Sequence, residues 1–196
     1  MADANAGRRP GRLIVLSGPS GVGKSTLAQR IAASGEFPID LSISATSRLP
    51  RAGEEEGVHY HFLERDEFER LRSEGKFLEY AQVYGNWYGT LQSVVDESLA
   101  LGRWVLLEID VQGFQQVKSK RPDTVGFFLQ APSEADYLAR LQYRGTESPE
   151  AVARRLAEAQ RELQSAHLYD YLIVNDSLDA AEEEFRRSLR ELIGSS

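Results

Sequence analysis

The sequence predicts an α/β protein in which a parallel β-sheet is flanked by helices. Short apolar runs alternate with longer stretches whose apolar residues recur at helical spacing, which is typical of such a sheet. A glycine-rich segment lies between the first apolar run and the first helical stretch, as in proteins that bind phosphate at a helix start. With 196 residues and no break in composition, the chain suits one compact domain with insertions.

The elements of this sheet follow in order along the chain. Strand-like runs occupy residues 12–17, 104–109, 124–129 and 171–174. Helical patterns occupy residues 24–33, 91–101, 114–120, 133–144, 149–166 and 177–193. Helix boundaries are marked by Gly102 before a strand, by Ser133 with Asp136 in a capping box, and by Ser148 before Pro149.

The interval 37–90 interrupts this alternation, because it is rich in Ser, Thr, Gly, Tyr and charged residues. It contains strand-like pieces at 41–45, 58–62 and 77–83 and one helix near 66–74. We interpret it as an inserted substrate-binding lobe.

The glycine-rich segment predicts a binding site for a nucleoside triphosphate. Its residues are Gly18, Pro19, Ser20, Gly21, Val22, Gly23, Lys24, Ser25 and Thr26, a complete G-x-x-x-x-G-K-S phosphate loop. Glycines let the backbone turn its N–H groups inward, and Lys24 is expected to reach the β- and γ-phosphates. Ser25 is expected to offer its hydroxyl to Mg²⁺. A glycine-rich turn that matches by chance is the alternative.

Composition excludes several classes of protein. The net charge of −7 argues against a nucleic-acid polymer as partner, which needs a broad basic face. Without cysteine the chain has neither disulfides nor a thiolate zinc site, and this favours a cytoplasmic location. Its apolar runs are far shorter than the roughly 20 residues that cross a bilayer. Residues 1–11 suggest a flexible leader, not a signal peptide.

Two arginines in the lobe point to an anion. Arg48 and Arg51 lie in a stretch stiffened by proline and glycine, so both guanidinium groups can converge on one phosphate. Tyr60 and the aromatic stretch 84–90 could add hydroxyl donors and a wall on which a base stacks. In the alternative interpretation the arginines pair with the acidic residues 54–56, and the aromatic rings belong to the core.

Glu108 and Asp110 are two residues apart on a strand-like run, so both carboxylates are expected on one side, at the strand end where ligands bind in α/β sheets. Desolvated carboxylates need a partner, because burying them alone costs several kcal/mol. We therefore expect them to meet magnesium or substrate, with Asp110 as the metal ligand. Structural pairing with arginine or backbone N–H groups is the alternative.

Three arginines on the later helices are candidates for contact with phosphate. On a helical wheel of residues 149–166, Arg155 borders the apolar stripe and Arg154 lies on the far side. Arg140 and Arg144 are four residues apart and share one face of the preceding helix. A solvated basic face is the alternative interpretation for this pair.

As a set, these motifs resemble the guanylate kinase family over about residues 12–193. The resemblance rests on the phosphate loop, Ser44-x-x-x-Arg48-x-x-Arg51-x-Gly53, Glu79, the stretch 84–90, Leu107-Glu108-Ile109-Asp110-Val111-Gln112-Gly113 and Arg144-Gly145-Thr146-Glu147. It implies a P-loop nucleoside monophosphate kinase fold that transfers the γ-phosphoryl group of ATP to GMP with Mg²⁺. It also implies a core of residues 12–36, 91–138 and 167–196, a GMP-binding lobe near 37–90 and a helical lid near 139–166.

The resemblance assigns a role to each candidate residue. Arg48, Arg51, Tyr60 and Tyr88 correspond to the clamp on the GMP phosphate, and Ser44, Glu79, Thr90 and Glu108 correspond to the guanine pocket. Lys24 corresponds to the lysine at the ATP phosphates, Arg140, Arg144 and Arg155 to the arginines that close over the transferred group, and Asn175 to a residue near the adenosine. Many relatives carry Asp where this chain has the longer Glu108.

Two other functions are considered. A kinase for another nucleoside monophosphate is disfavoured because Glu79 and Glu108 are acceptors, which suit the N–H donors of guanine and not adenine. A catalytically inactive scaffold that binds a partner peptide is disfavoured by the intact Lys24 and Ser25 and by the arginines of the lid.

Overall fold

The computed structural model describes residues 11–143 and 149–194. The strands are β1 Leu13–Ser17, β2 Ile39–Leu41, β3 Ala45–Thr46, β4 His61–Phe62, β5 Phe77–Val83, β6 Asn86–Leu91, β7 Trp104–Glu108, β8 Val125–Gln130 and β9 Tyr171–Val174. The helices are α1 Lys24–Ala33, α2 Arg65–Ser73, α3 Gln92–Ala100, α4 Val111–Lys120, α5 Glu134–Tyr143, α6 Pro149–Leu163 and α7 Leu178–Gly194. A short 3-10 helix, Ala166–Leu168, precedes β9.

The central sheet has the order β2-β7-β1-β8-β9, and all of its strand pairs are parallel. This confirms the predicted fold class. β1 lies in the middle, where β7 and β8 pair with its two edges. In open α/β sheets the carboxyl end of such a strand faces the ligand crevice. The segment after Ser17 is therefore at the position in the sheet that is best suited to bind a ligand.

Both faces of the central sheet are buried because successive side chains of a strand point to opposite sides. On one face Ile14 and Leu16 pack with residues of α1 and α7, such as Ile31 and Phe185. On the other face Leu13 and Val15 pack with residues of α3 and α4. The continuous apolar runs of β1 and β7 therefore indicate strands covered by helices on both sides.

A second sheet has the order β4-β3-β6-β5 and lies entirely within residues 45–91. The predicted strand 41–45 is wrong, because β2 joins the central sheet and β3 begins only at Ala45. The aromatic stretch 84–90 also forms strand structure, since β6 pairs antiparallel with β5 through a turn at Tyr84 and Gly85. The interval 37–90 thus contributes one strand to the central sheet and most of the second sheet.

Local signals located the helix boundaries with differing success. Gly102 has a positive φ of 75° just before β7, and the Ser133 hydroxyl accepts a hydrogen bond from the Asp136 N–H at 3.1 Å, as predicted. The helix predicted over 114–120 starts earlier, at Val111, because Asp110 caps it. The helix predicted over 149–166 ends at Leu163.

Within the part of the chain that the structure describes, no helix is long and apolar enough to cross a membrane. Residues 1–10 of the predicted leader, the cap residue Ser148 and the candidate Arg144 lie outside the described residues.

Candidate active site

The phosphate loop connects β1 to α1 at the centre of the sheet. Gly18 follows β1 with a φ of 143°, and a Cβ at this position would lie 2.0 Å from the carbonyl oxygen of Leu129. Only glycine lets the loop pass so close to β8. Gly23 then precedes the first turn of α1, so the loop lies against the N-terminal end of that helix, where N–H groups and the helix dipole attract anions.

Lys24 is the cation of this loop. Its Nζ donates hydrogen bonds to the carbonyl oxygens of Gly18 at 2.6 Å and Pro19 at 3.2 Å. Burial lowers the pKa of Lys24, although the nearby carboxylates of Glu108, Glu162 and Asp110 act in the opposite direction. The ammonium group is thus held against the loop in a partly desolvated place, where its attraction for a phosphate is less screened than in water.

A cavity of about 440 Å³ opens beside the loop. It is lined by Gly18, Ser20, Gly21, Gly23, Lys24, Ser25, Thr26, Glu108, Ile109, Asp110 and Glu162. The Ser25 hydroxyl donates a hydrogen bond to Glu108 Oε1 at 2.6 Å. This contact places Glu108, which was predicted for the guanine pocket, beside the phosphate loop.

Asp110 differs from Glu108 in its structural context. The expectation that both residues lie on one strand is wrong, because β7 ends at Glu108 and Asp110 is the N-cap of α4. Its Oδ1 accepts a hydrogen bond from the Gly113 N–H at 2.8 Å. By accepting from an N–H group at the helix start, Asp110 begins α4 there, and the alternation of side chains along the strand ends at Glu108.

Glu162, which sequence reasoning missed, lies in the same cavity. It belongs to α6, and its Oε2 is buried without a hydrogen-bond partner among the described residues. Burial raises the pKa of Glu162 to about 7, and the neighbouring Lys24 acts against that rise. Glu162 follows Arg155 by seven residues and therefore shares its helix face, which is the signal that could have identified it.

Glu79 and Thr90 form a second, buried polar pair on β5 and β6. The two residues are opposite each other, and the Thr90 hydroxyl donates to Glu79 Oε1 at 2.7 Å. Burial raises the pKa of Glu79 to about 6, and the charge of Asp110 adds to the rise. Glu79 is therefore a buried carboxyl whose ionisation is opposed mainly by its burial.

The residues predicted to clamp a phosphate lie around Arg48. Its Nε donates to the Tyr88 hydroxyl at 3.3 Å, and its guanidinium carbon lies 5.4 Å from the Tyr60 ring centroid. Its two terminal nitrogens donate to Glu54 at 2.9 Å each, and the Arg51 backbone N–H donates to the same carboxylate. These contacts lower the pKa of Glu54 to about 2. The pairing of Arg48 with an acidic neighbour matches the alternative interpretation.

The strand β6 relates this cluster to the Glu79 pair. Tyr88 and Thr90 are two residues apart on β6, so their side chains project from the same face. One face of the second sheet therefore carries both the arginine cluster and the buried carboxylate.

Ser44, which was predicted for the guanine pocket, directly precedes β3. Its carbonyl oxygen accepts a hydrogen bond from the His61 N–H at 2.9 Å.

On the opposite side of the phosphate loop, Asn175 and Arg140 form a connected pair. Asn175 is buried, and its Nδ2 donates to the carbonyl oxygen of Val22 at 2.7 Å. Arg140 donates to the carbonyl oxygens of Asn175 at 2.6 Å and Asp176 at 3.2 Å. The segment after β9 thus holds the loop in place.

The two adjacent arginines of α6 differ in exposure, as the helical wheel predicts. Arg154 is exposed, whereas Arg155 is partly buried.

Comparison with known proteins shows the family. The family model described as Guanylate kinase matches residues 10–192. The chain belongs to the guanylate kinase family. Among similar proteins, the guanylate kinase of Streptococcus agalactiae serotype III is 49% identical over 177 residues, which cover 90% of this chain and 85% of that protein. The guanylate kinase of Neisseria meningitidis serogroup A is 46% identical over 178 residues, 91% of this chain and 86% of that protein.

A solved structure of a guanylate kinase has a similar fold over most of this chain. The crystal structure of guanylate kinase from Anaplasma phagocytophilum superposes with a TM-score of 0.69 at 32% identity, covering 93% of this chain and 86% of that one. The resemblance predicted from the motifs is therefore confirmed for the family and for the fold.

Proposed function

We infer that this chain transfers the γ-phosphoryl group of ATP to GMP, giving ADP and GDP. The observation that supports this best is the pairing of a complete phosphate loop, with Lys24 and Ser25 in one cavity, and a buried carboxylate acceptor at Glu79. A coupled assay with ATP and GMP, AMP, CMP or UMP in turn tests it. Turnover with GMP is expected to exceed turnover with the other three. Equal turnover with AMP would contradict the assignment.

The phosphate loop is proposed to bind the triphosphate of ATP. The backbone N–H groups of the loop and the start of α1 would attract the phosphate oxygens. The ammonium group of Lys24, which now donates to two carbonyl oxygens of the loop, would donate to the phosphates instead. Phosphoryl transfer needs little covalent help, so aligning the two nucleotides and neutralising charge accounts for most of the catalysis. Asn175 is proposed to support this site through Val22 and to lie near the adenosine.

The cavity suits Mg²⁺, which prefers oxygen ligands and relies on a few protein groups together with the phosphates and water. Ser25 offers a hydroxyl, and Glu108 and Asp110 offer carboxylates. Within residues 11–143 and 149–194 no group of three or more His, Cys, Asp or Glu side chains could hold a metal ion, so the nucleotide and water would have to supply most of its ligands. When bound, the ion would neutralise the phosphate charge. We propose Ser25 and Glu108 as its nearest protein groups.

Glu79 is proposed to accept hydrogen bonds from the N–H groups on the pairing edge of guanine. An ionised carboxylate is only an acceptor, so it suits guanine and opposes the ring acceptor of adenine. Thr90 orients the carboxylate, leaving other lone pairs for the base. We propose that Asp110 serves both sides of the site, because it lines the phosphate cavity and its charge also acts on Glu79. We propose that Glu108 belongs to the phosphate side, because Ser25 donates a hydrogen bond to it.

Arg48, Arg51, Tyr60 and Tyr88 are proposed to hold the GMP phosphate. Arg48 already has two parallel hydrogen bonds to Glu54, the arrangement that a guanidinium group also makes with two phosphate oxygens. A phosphate dianion would replace Glu54 at this fork. We therefore propose that the pairing with Glu54 is made in the absence of GMP, which makes the two interpretations compatible.

Residues 139–166 are proposed to act as a lid that carries arginines to the transferred group. The proposed core comprises residues 12–36, 91–138 and 167–196, and the proposed GMP lobe comprises residues 37–90. Closing such a lid would exclude water and limit hydrolysis of ATP. Membership of the family and the intact Lys24 oppose the scaffold alternative. The predicted cytoplasmic location and the absence of a nucleic-acid partner rest on the composition of the chain.

A further inference from the structure

Strand β5, which carries Glu79, is the last strand of the second sheet. On one side it pairs with β6, and on the other side no strand from residues 11–143 or 149–194 pairs with it. An end strand leaves a row of backbone N–H and C=O groups unpaired unless other groups cover them. In this protein the side chains of helix α4 supply the missing partners.

Gln116 binds the backbone directly after Glu79. Its Oε1 accepts a hydrogen bond from the Tyr80 N–H at 3.2 Å, and its Nε2 donates to the Tyr80 carbonyl oxygen at 3.1 Å. One amide side chain therefore replaces both hydrogen bonds that a neighbouring strand would make to Tyr80.

Lys120 binds the backbone directly before Glu79. Its Nζ donates to the carbonyl oxygens of Phe77 at 2.7 Å and Leu78 at 2.9 Å. The pairing of β5 with β6 is irregular between Phe77 and Glu79, as in a β-bulge, which redirects nearby side chains. Leu78 is fully buried in the core of the central sheet. The two contacts of Lys120 thus hold the irregular segment against the core.

The same helix face approaches the Glu79 carboxylate itself. Gly113, Gln116 and Lys120 are spaced three and four residues apart and lie along one side of α4. A Cβ at Gly113 would lie 3.3 Å from Glu79 Oε2. Asp110 caps the same helix. Helix α4 therefore sets the position of Glu79 relative to Asp110 and to the phosphate cavity.

We propose that Gln116 and Lys120 are positioning residues that hold Glu79 in the geometry that reads the guanine base. The inference rests on the proposed role of Glu79 as the acceptor for guanine. Neither residue is expected to touch GMP, because both side chains are occupied by the backbone of β5. A small displacement of an acceptor weakens its hydrogen bonds steeply. Loss of the Gln116 or Lys120 contacts would therefore weaken binding of the guanine base and not of ATP.

The first test is Gln116→Met, which keeps the length of the side chain and removes both hydrogen bonds to Tyr80. We expect the KM for GMP to rise about tenfold, the size expected when one hydrogen bond to a charged acceptor is weakened, while kcat and the KM for ATP stay within about twofold. The preference for GMP over inosine monophosphate, which lacks the 2-amino donor, should fall as well. Gln115→Met, at the adjacent exposed position, is the matched control and should leave all values unchanged.

A second measurement follows the contact between Gln116 and Tyr80 directly. Hydrogen exchange at the Tyr80 amide should be faster in Gln116→Met than in the parent and in Gln115→Met. Thermal melts check that each variant is folded. If Gln116→Met does not fold, Lys120→Met removes the contacts to Phe77 and Leu78 instead, with the same kinetic assays and the same expected kinetic results.

Three results would overturn the inference. These are an unchanged KM for GMP, equal losses with GMP and inosine monophosphate, and unchanged exchange at Tyr80. Glu79→Gln is measured in parallel to separate this inference from the proposed function. If Glu79→Gln loses the preference for GMP and Gln116→Met keeps it, only the positioning role fails. If Glu79→Gln keeps the preference, the base-reading role of Glu79 itself fails.

Discussion

The hydroxyl of Thr90 donates a 2.7 Å hydrogen bond to the carboxylate of Glu79 across the β5–β6 pair, where both residues are buried. Keeping an ionisable group in such a place is costly unless it has partners. The burial of Glu79 raises its pKa to about 6, and the charge of Asp110 makes its ionisation harder still. An ionisable group that is kept although its burial lowers the stability of the fold is a candidate for function.

Glu79→Gln should lower kcat/KM for GMP by about 10²-fold and reduce the preference for GMP over AMP, because one N–H of guanine would face another N–H. The change keeps size and shape, so ATP binding and the native fold should be retained. Steady-state kinetics with both nucleotides measure the effect, and Glu74→Gln, an exposed position of the same lobe, is the control. Full GMP activity in Glu79→Gln would disprove the guanine pocket.

The same variant should be more stable than the parent at pH 8. The folded-state pKa of Glu79 is raised to about 6 from 4.5, so the protonated form stabilises the fold below pH 4.5 and this contribution is lost as pH rises through 6. Gln, which does not ionise, avoids that loss, and we expect a gain of about 2 kcal/mol in the free energy of unfolding. Denaturant unfolding at pH 8 and pH 4.5 measures it. A gain of equal size at both pH values would refute the explanation.

Lys24→Ala should abolish turnover and leave the affinity for GMP within a few-fold of normal, because Lys24 is proposed to act on the triphosphate alone. Calorimetric titration with GMP and the coupled assay give the two values. Comparable turnover in this variant would exclude the proposed role of the phosphate loop.

Arg155→Ala should lower kcat by about 10²-fold if the guanidinium stabilises charge on the transferred group, whereas Arg154→Ala should change kcat little. The partial burial of Arg155 and the exposure of Arg154 support this difference. Arg154→Ala is the matched control, since it removes the same side chain from the adjacent position. Equal effects on kcat would argue against an inward role for Arg155.

Glu108→Gln should raise the Mg²⁺ concentration needed for half-maximal activity several-fold and leave the preference for GMP over AMP unchanged, because Glu108 is bonded to Ser25. Asp110→Asn is expected to have the larger effect on base preference. A loss of GMP preference in Glu108→Gln would instead return Glu108 to the guanine pocket.

Local sequence patterns predicted the parts of the protein that depend on neighbours in the chain. The helix over 24–33 and the strand over 171–174 match α1 and β9, because capping, glycine and apolar spacing act within a few residues. The phosphate loop was recognisable for the same reason, since its glycines and Lys24 are consecutive. The exposure difference between Arg154 and Arg155 also follows from one helical period.

Other features depend on residues that are distant in the sequence. Glu108 is bonded to Ser25, and Glu162 from α6 lies in the same cavity. The amide of Gln116 takes the place of a missing strand beside Glu79. No local pattern contains such contacts, because they arise only when separate elements pack and leave polar groups that need partners.

The sequence by itself therefore determined the fold class, the family and the phosphate loop, because these depend on the spacing of nearby residues and on the order of the motifs. Only the tertiary structure decided which polar groups each carboxylate meets. The strand β7 ends at Glu108, which accepts a hydrogen bond from Ser25, whereas Asp110 caps α4. Where a strand ends and a helix begins depends on a few tenths to about 2 kcal/mol of capping and packing, which a spacing of two residues does not reveal.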